Sequence, residues 1–282
     1  LLDAGDAFAF EDPGYLMARR SFEAVGARCV EVPVDAQGLD TAALPQGGRV
    51  RLAYVTPSHQ FPLGGVLPLA RRLDLLRWAQ REQAWIVEDD YDGEFRYGQR
   101  PIDALQAIDG DGRVLYVGTF SKTMYPALRL GFLVLPKRLL PLVEHALHDL
   151  LRGGHSHEQL AMARFMETGQ LARHLARMRR LYRQRPLALR EALGQYLGIP
   201  NSIEGGRAGL HLCVRFSADY ADVAVVVAAA RYGIAAQALS TFALAPHVHD
   251  NGLVLGYGNT PVEVIGPMVK KLGMILKKIH GP

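Results

Sequence analysis

Cysteine is nearly missing from this chain: Cys29 and Cys213 are the only two among 282 residues. Both sit in apolar stretches that read as strands, and no CxxC spacing or pairing pattern accompanies them. A disulfide framework is therefore not expected, and reduced, buried thiols fit a cytoplasmic protein. No apolar run reaches the roughly 18 residues a spanning helix needs. No basic segment leads into a hydrophobic one at the start, so neither a membrane helix nor a secretory signal is predicted. Low-complexity runs are absent and the charged fraction, 21%, is ordinary, which argues against long disorder. Lysine is scarce, six of the 32 basic residues, so the net charge of +4 is mostly arginine. A slight basic excess permits nucleic-acid binding nearby without arguing for it.

What is present supports a substantial core: 49% of the residues are hydrophobic. The length suits one large domain or two moderate ones. Short β-branched or aromatic runs at 6–10, 28–33, 50–55, 84–88, 113–118 and 130–135 read as strands bounded by turn residues. Helical patterns lie between them at 15–25 and 68–83, with Leu69, Leu73 and Leu76 at helical spacing. That alternation predicts an α/β domain with a mostly parallel sheet, whose ligands bind beyond the carboxyl ends of the strands. Three helices, 139–151, 158–167 and 171–197, are predicted next. Strand, helix, two strands and helix follow over 210–279, a smaller α+β unit. The division is placed at residues 1–155 and 156–282, with the long helix as connector. The first residue is not methionine and the opening reads as mid-fold, so upstream sequence is expected. The basic cluster Arg173, Arg177, Arg179, Arg180, Arg183 and Arg185 spreads over several faces of one predicted helix and reads as a solvated or interface surface.

Chemistry concentrates where strands end. Glu88-Asp-Asp-Tyr-Asp92 follows one apolar run, and Gly118-Thr-Phe-Ser-Lys122 follows another, with Arg129 seven residues beyond the lysine. Each alone has a dull reading: a solvated acidic loop, an exposed lysine, a salt-bridged arginine. Together they differ. Short hydroxyl donors and a planar guanidinium are what a phosphate dianion wants. A lysine beside that site can condense with an aldehyde cofactor. Pyridoxal 5'-phosphate (PLP) needs such a lysine and a carboxylate facing its pyridine nitrogen. Asp89, at the end of the preceding strand, is the candidate carboxylate.

Three strings carry a resemblance: Thr56-Pro-Ser-His-Gln-Phe-Pro-Leu-Gly64, Glu88-Asp-Asp-Tyr-Asp-Gly-Glu-Phe95 and Thr119-Phe-Ser-Lys-Thr-Met-Tyr-Pro-Ala-Leu-Arg-Leu-Gly131. With Glu11-Asp-Pro-Gly-Tyr15 and Ala208-Gly-Leu-His211, they resemble the signatures of MocR/GabR-type regulators. Those proteins join a winged helix-turn-helix of the GntR kind to an aminotransferase domain of PLP fold type I. The resemblance implies that Lys122 carries the cofactor covalently, Asp89 binds its pyridinium nitrogen and Tyr91 its phenolic oxygen. It places Thr119, Ser121 and Arg129 at the phosphate and Tyr15 near the ring or substrate. His59 and Gln60 occupy the loop where aminotransferases set an asparagine against the cofactor; either could take that part, or the loop could be a structural turn.

Two departures from the pattern stand out. The family's cofactor site also uses a strand-to-helix loop upstream of Glu11, which lies outside this sequence. Its helix N-terminus would hold much of the phosphate, so weak PLP retention by this chain alone is expected. The segment where amino-acid-responsive members carry a carboxylate-binding arginine reads Leu239-Ser-Thr-Phe242 here. Arg207 and Arg215 remain candidates, Arg215 being equally suited to a salt bridge.

His155/His157 and His247/His249/Asp250 are short and lack a partner cluster, so no metal site is expected. The expected function is an effector-sensing domain responding to a small amine or amino acid. It would be homodimeric and would reach DNA only through an upstream domain. A working aminotransferase is the alternative, and a scaffold that has lost PLP is the least favoured reading.

Overall fold

The computed structural model describes residues 1–97, 102–152, 154–244 and 250–280. The chain builds β1 (Ala7–Asp12), α1 (Leu16–Glu23), β2 (Arg28–Asp35), β3 (Gly38–Leu39) and β4 (Leu52–Val55). It continues through α2 (Leu69–Glu82), β5 (Trp85–Asp90), α3 (Leu105–Ile108), β6 (Val114–Thr119) and β7 (Gly131–Val134). These strands form one seven-stranded sheet in the order β3-β2-β1-β4-β5-β6-β7. The pairs among β2, β1, β4, β5 and β6 are parallel, while β3 and β7 run antiparallel at the two edges.

Successive connections step away from β1 in opposite directions, first to β2 and then to β4. A crevice opens at such a reversal, at the carboxyl ends of the strands. One face of the sheet buries Ala7, Ala9, Val55 and Ile86 against Leu75, Trp78 and Ala79 of α2. The other buries Phe8, Phe10, Leu52 and Tyr54, with Phe22 of α1 packed over them. Because side chains alternate along a strand, β1 supplies both faces from neighbouring residues.

The chain then runs through α4 (Leu140–Leu151), α5 (Ser156–Glu167), α6 (Gln170–Tyr182) and α7 (Arg185–Tyr196). The single long helix expected over 171–197 is two. Pro186 lies in the first turn of α7, where its missing N–H is tolerated; within one continuous helix it would clash with the preceding turn and interrupt the ladder. The break turns Arg185 inward, where it donates to the carbonyls of Tyr257 (3.3 Å) and Gly258.

A second sheet, β10-β11-β9-β8, is antiparallel. Its strands are β8 (Asn201–Gly205), β9 (His211–Phe216), β10 (Gln237–Ala238) and β11 (Gly252–Gly256), with α8 (Asp222–Ala230) and α9 (Val262–His280) alongside. Leu212, Val214, Leu253 and Leu255 pack there against Leu189 and Leu193 of α7 and Ile265, Val269, Leu272 and Leu276 of α9. Strand β8 is an addition to the sequence reading: Asn-Ser-Ile-Glu-Gly lacks a β-branched run, and pairing with β9 alone makes it extended. No described helix is long and apolar enough to cross a membrane. His247 and His249 lie outside the described residues.

Candidate functional site

The site forms where β1, β4, β5 and β6 end side by side. At the end of β1, Glu11 is buried and accepts from the Thr56 N–H (3.1 Å), the Thr56 hydroxyl (2.5 Å) and the Gln60 amide (3.2 Å). Burial pushes its carboxyl up to about 7 against these donors. The contact spans the point where the strand order reverses, joining β1 to the loop after β4.

That loop is braced from inside. Gln60 donates also to the carbonyls of Pro13 (3.0 Å) and Phe61 (2.7 Å), and its own carbonyl accepts from Leu63 N–H (3.1 Å). Its amide is thus fully engaged in holding the turn. Arg72 of α2 donates to the carbonyls of Leu67, Asp103 and Pro57 at 2.7–3.0 Å, and lies 3.7 Å from Glu88. Glu88 in turn accepts from Leu105 and Gln106 N–H, both at 2.9 Å. Burial lowers the Arg72 pKa and raises that of Glu88, in each case more than their mutual attraction opposes it. The first acid of the Glu88-Asp89-Asp90 string is therefore a brace.

Asp89 is different. It is half-buried, and Tyr54 donates its hydroxyl to it. Burial raises its carboxyl to about 6, the Tyr54 bond opposes this, and Asp90 and Asp92 add to it. Among the described residues no cation pairs with Asp89. Asp90 is occupied by the Tyr116 hydroxyl (2.8 Å).

Tyr91 donates to the carbonyl of His59 (2.9 Å), and its oxygen lies 3.0 Å from His59 Nδ1. That nitrogen is also 3.0 Å from Asp92, which accepts in addition from Leu210 N–H (3.2 Å) of the smaller lobe. His211 packs at a tilt against His59, ring centroids 4.6 Å apart and planes 45° apart, and donates to the Pro62 carbonyl (3.1 Å). Its pKa is held well below the usual value by burial first, then by His59 and by the charge of Lys122. His59, Asp92 and His211 have the composition of a metal triad, their ligand atoms lying within 4.8 Å of one another. Here the bonds to Pro62, Leu210 and Tyr91 account for the arrangement. Gly209 seals it: a Cβ there would fall 2.1 Å from His59 Nδ1 and 2.3 Å from Asp92.

On the far side, β6 ends in Thr119. Its hydroxyl lies 3.0 Å from the Ser121 hydroxyl and accepts from Ser121 N–H (3.1 Å), a compact pair at the strand end. Lys122 follows, exposed, while Thr123 is buried and its carbonyl accepts from His174 of α6 (2.8 Å). Arg129 returns at the start of the path into β7 with a left-handed backbone, φ 53°, and an exposed side chain. Tyr15 stands at the rim, 40% exposed, edge-on to Phe61 at 5.7 Å. The structure thus gathers Asp89, Tyr91, Thr119, Ser121 and Lys122 at adjoining strand ends. It seals His59 behind Tyr91 and uses Gln60 as a brace.

Of the arginine candidates, Arg215 is 2.9 Å from Glu204 across the β8–β9 pair, the salt bridge anticipated as its alternative. In the 239–242 turn, Ser240 bonds Asp222 (2.7 Å), and Phe242 packs edge-on against Phe61 at 5.0 Å.

The sequence assigns no role to Glu11 or Tyr54, and none to the chain of bonds from His59 through Asp92 to Leu210. A charged residue ending an apolar strand was the signal available for Glu11; a tyrosine within a strand offers none.

The donor set fits a phosphorylated pyridine aldehyde. An amine, a hydroxyl pair, a guanidinium ten residues on from Thr119, and a carboxylate with no cation among the described residues correspond to the aldehyde, phosphate and ring-nitrogen ends of such a molecule.

Comparison with known proteins agrees. Over 271 residues the chain is 38% identical to the HTH-type transcriptional regulator YhdI of Bacillus subtilis, covering 96% of this chain and 57% of that protein. It is 39% identical to the probable rhizopine catabolism regulatory protein MocR of Rhizobium meliloti, covering 91% and 52%. The chain therefore spans a little over half the length of these relatives. The kynurenine aminotransferase of Pyrococcus horikoshii, solved with PMP, superposes with a TM-score of 0.89 at 27% identity, covering 98% of this chain and 70% of that one. The fold, mostly parallel in its large sheet, is PLP fold type I. Residues 1–249 match the aminotransferase class I and II family, and the chain belongs to that family.

Proposed function

We propose that this chain is the PLP-binding, effector-sensing domain of a MocR-type transcriptional regulator. The observation that carries the reading is Asp89: a half-buried carboxylate with no cation among the described residues, one strand away from an exposed lysine and a hydroxyl pair. Lys122 holds the cofactor covalently, and Asp89 faces its pyridinium nitrogen. Tyr91 faces its phenolic oxygen, Thr119, Ser121 and Arg129 its phosphate, and Tyr15 flanks the ring. Bound PLP supplies an electron sink for an amine joined to it. The chain's residues orient it: Tyr54 fixes one Asp89 oxygen, and a cation opposite the other would draw the carboxyl back into its ionised range.

Residues 1–155 form the cofactor lobe, and 156–282 the helical connector and small lobe. A small amine or amino acid is the effector. Its binding shifts the population between two arrangements of the lobes by its differential affinity for them. DNA is read by a helix-turn-helix domain of the kind the relatives are named for, not by this chain, and the setting is the cytoplasm. Homodimerisation is supported by the number of large apolar side chains left exposed on β7, α4 and α5, among them Phe132, Leu133, Leu142, Leu150 and Leu160.

The likeness to an aminotransferase favours a second reading, in which Lys122 also moves the substrate α-proton as general base. Borohydride reduction of the PLP-loaded full-length protein, followed by peptide mass spectrometry, tests the shared site. A pyridoxyl adduct is expected on Lys122; an adduct elsewhere, or none, overturns it. Keto product exceeding the protein many-fold would favour the enzyme.

A further inference from the structure

Behind Tyr91 lies a buried chain of bonds that the cofactor reading leaves unassigned. The Tyr91 proton goes to the His59 carbonyl (2.9 Å), so the Tyr91 oxygen is free to accept at its other contact, His59 Nδ1 at 3.0 Å. Nδ1 also faces Asp92 at 3.0 Å, and a carboxylate only accepts. Both neighbours therefore call for a proton on Nδ1, and the one N–H is shared between them as a three-centre bond. The ring cannot turn away, because its side chain is fully sealed and the backbone of Gly209 packs on it. Nε2 has no partner among the described residues and lies against Gly64. Asp92 is anchored independently by Leu210 N–H from the small lobe (3.2 Å).

We propose that His59, fixed by Asp92 as the Nδ1–H tautomer, is a positioning residue that hydrogen-bonds the Tyr91 oxygen and strengthens Tyr91 as a donor to the cofactor's phenolic oxygen. The inference rests on the reading that PLP occupies this site. A donor to an oxygen makes that oxygen's own O–H a better donor, since bonds in a chain polarise one another. When Tyr91 swings its proton from the His59 carbonyl to the cofactor, the Nδ1–H bond persists and keeps the ring in place. The groups facing this chain are Asp92 on its own loop, Asp89 and Glu11 from β5 and β1, Tyr54 from β4, and His211 from β9 with the Lys122 charge beyond it.

The test is a pH titration of the visible absorbance band of the PLP-loaded full-length protein. The band's deprotonated form carries more charge on the phenolic oxygen, so weakening the Tyr91 bond moves the midpoint upward. His59→Phe is expected to raise it by about 0.5–1 pH unit, the equivalent of one hydrogen bond. His59→Asn, whose amide can donate from nearly the same position, is expected to restore it. In a Tyr91→Phe background, His59→Phe is expected to add nothing. A PLP-bound His59→Phe protein with the parent's midpoint overturns the proposal, as does an equal shift in the Tyr91→Phe background. Should His59→Phe not fold, His59→Leu serves: it also removes the Nδ1–H donor, so the same upward shift is expected and its absence overturns the proposal. A parent protein that shows no cofactor band refutes the PLP reading itself, and the His59 role with it.

Discussion

Arg72 and Glu88 face each other at 3.7 Å with both side chains sealed from solvent. Each also satisfies main-chain groups of a loop: Arg72 three carbonyls, Glu88 two N–H groups. The pair is a brace that sets where the 57–67 and 103–106 loops stand relative to β5. Burial costs both ions more than their attraction returns, so its value lies in position.

Removing one partner strands the other. Arg72→Ala is expected to cost about 3–5 kcal/mol, because Glu88 is left as a buried, unpaired charge. Urea denaturation of the variant against the parent measures it. A loss under about 1 kcal/mol would show that the brace contributes little.

Lys122 is exposed, and the described structure gives it no bonding role. Lys122→Ala should therefore leave the melting temperature without PLP unchanged while abolishing the borohydride-trapped adduct. Thermal melts and mass spectrometry report the two halves separately.

Arg129→Leu is expected to weaken PLP binding roughly tenfold to a hundredfold, the worth of a charge-assisted bond to phosphate. Equilibrium titration of the full-length protein checks it, and unchanged affinity would contradict the phosphate assignment.

Gly209 has φ +71°, and its missing Cβ is the space His59 and Asp92 occupy. Gly209→Ala combines left-handed strain with a collision against buried groups. A loss of at least about 1–3 kcal/mol is expected in chemical denaturation. A neutral substitution would mean that the loops separate easily.

Glu11 gives stability a pH slope. Its folded pKa, about 7, lies above the ordinary carboxylate value of 4.5, so the folded chain holds the extra proton between those limits. Stability is then fully present below about 4.5 and falls as pH rises through 7, at up to about 1.4 kcal/mol per unit for this group. Asp89 and Glu94, raised to about 6 and 7, act in the same direction. Melting curves from pH 4.5 to 8 should fall less steeply for Glu11→Gln than for the parent.

The sheet strands were legible because each is a short apolar run between turn residues, and β1 through β7 lie close to the predicted positions except for the two-residue β3. The helix break at 183–184 was written in Pro186, yet the apolar spacing across it favoured one helix. The site's outer members, Asp89, Lys122 and Arg129, were readable as residue types following strands.

Sequence alone determined the strand ends, the chemical identity of the groups placed there and the resemblance that names their family. Periodicity and residue type act over a few neighbours, and those signals are local. Tertiary structure decided which polar group is spent and which is free. Gln60 is consumed by Glu11, 49 residues away; Asp92 is tied to Leu210, 118 residues away; Arg215 is paired with Glu204. Among three adjacent acids it made Glu88 a brace and bonded Asp90 to Tyr116, leaving Asp89 bonded to Tyr54 with no cation among the described residues. Burial and hydrogen-bond saturation depend on what the rest of the chain brings to a point, so they become defined only when the chain has closed around it.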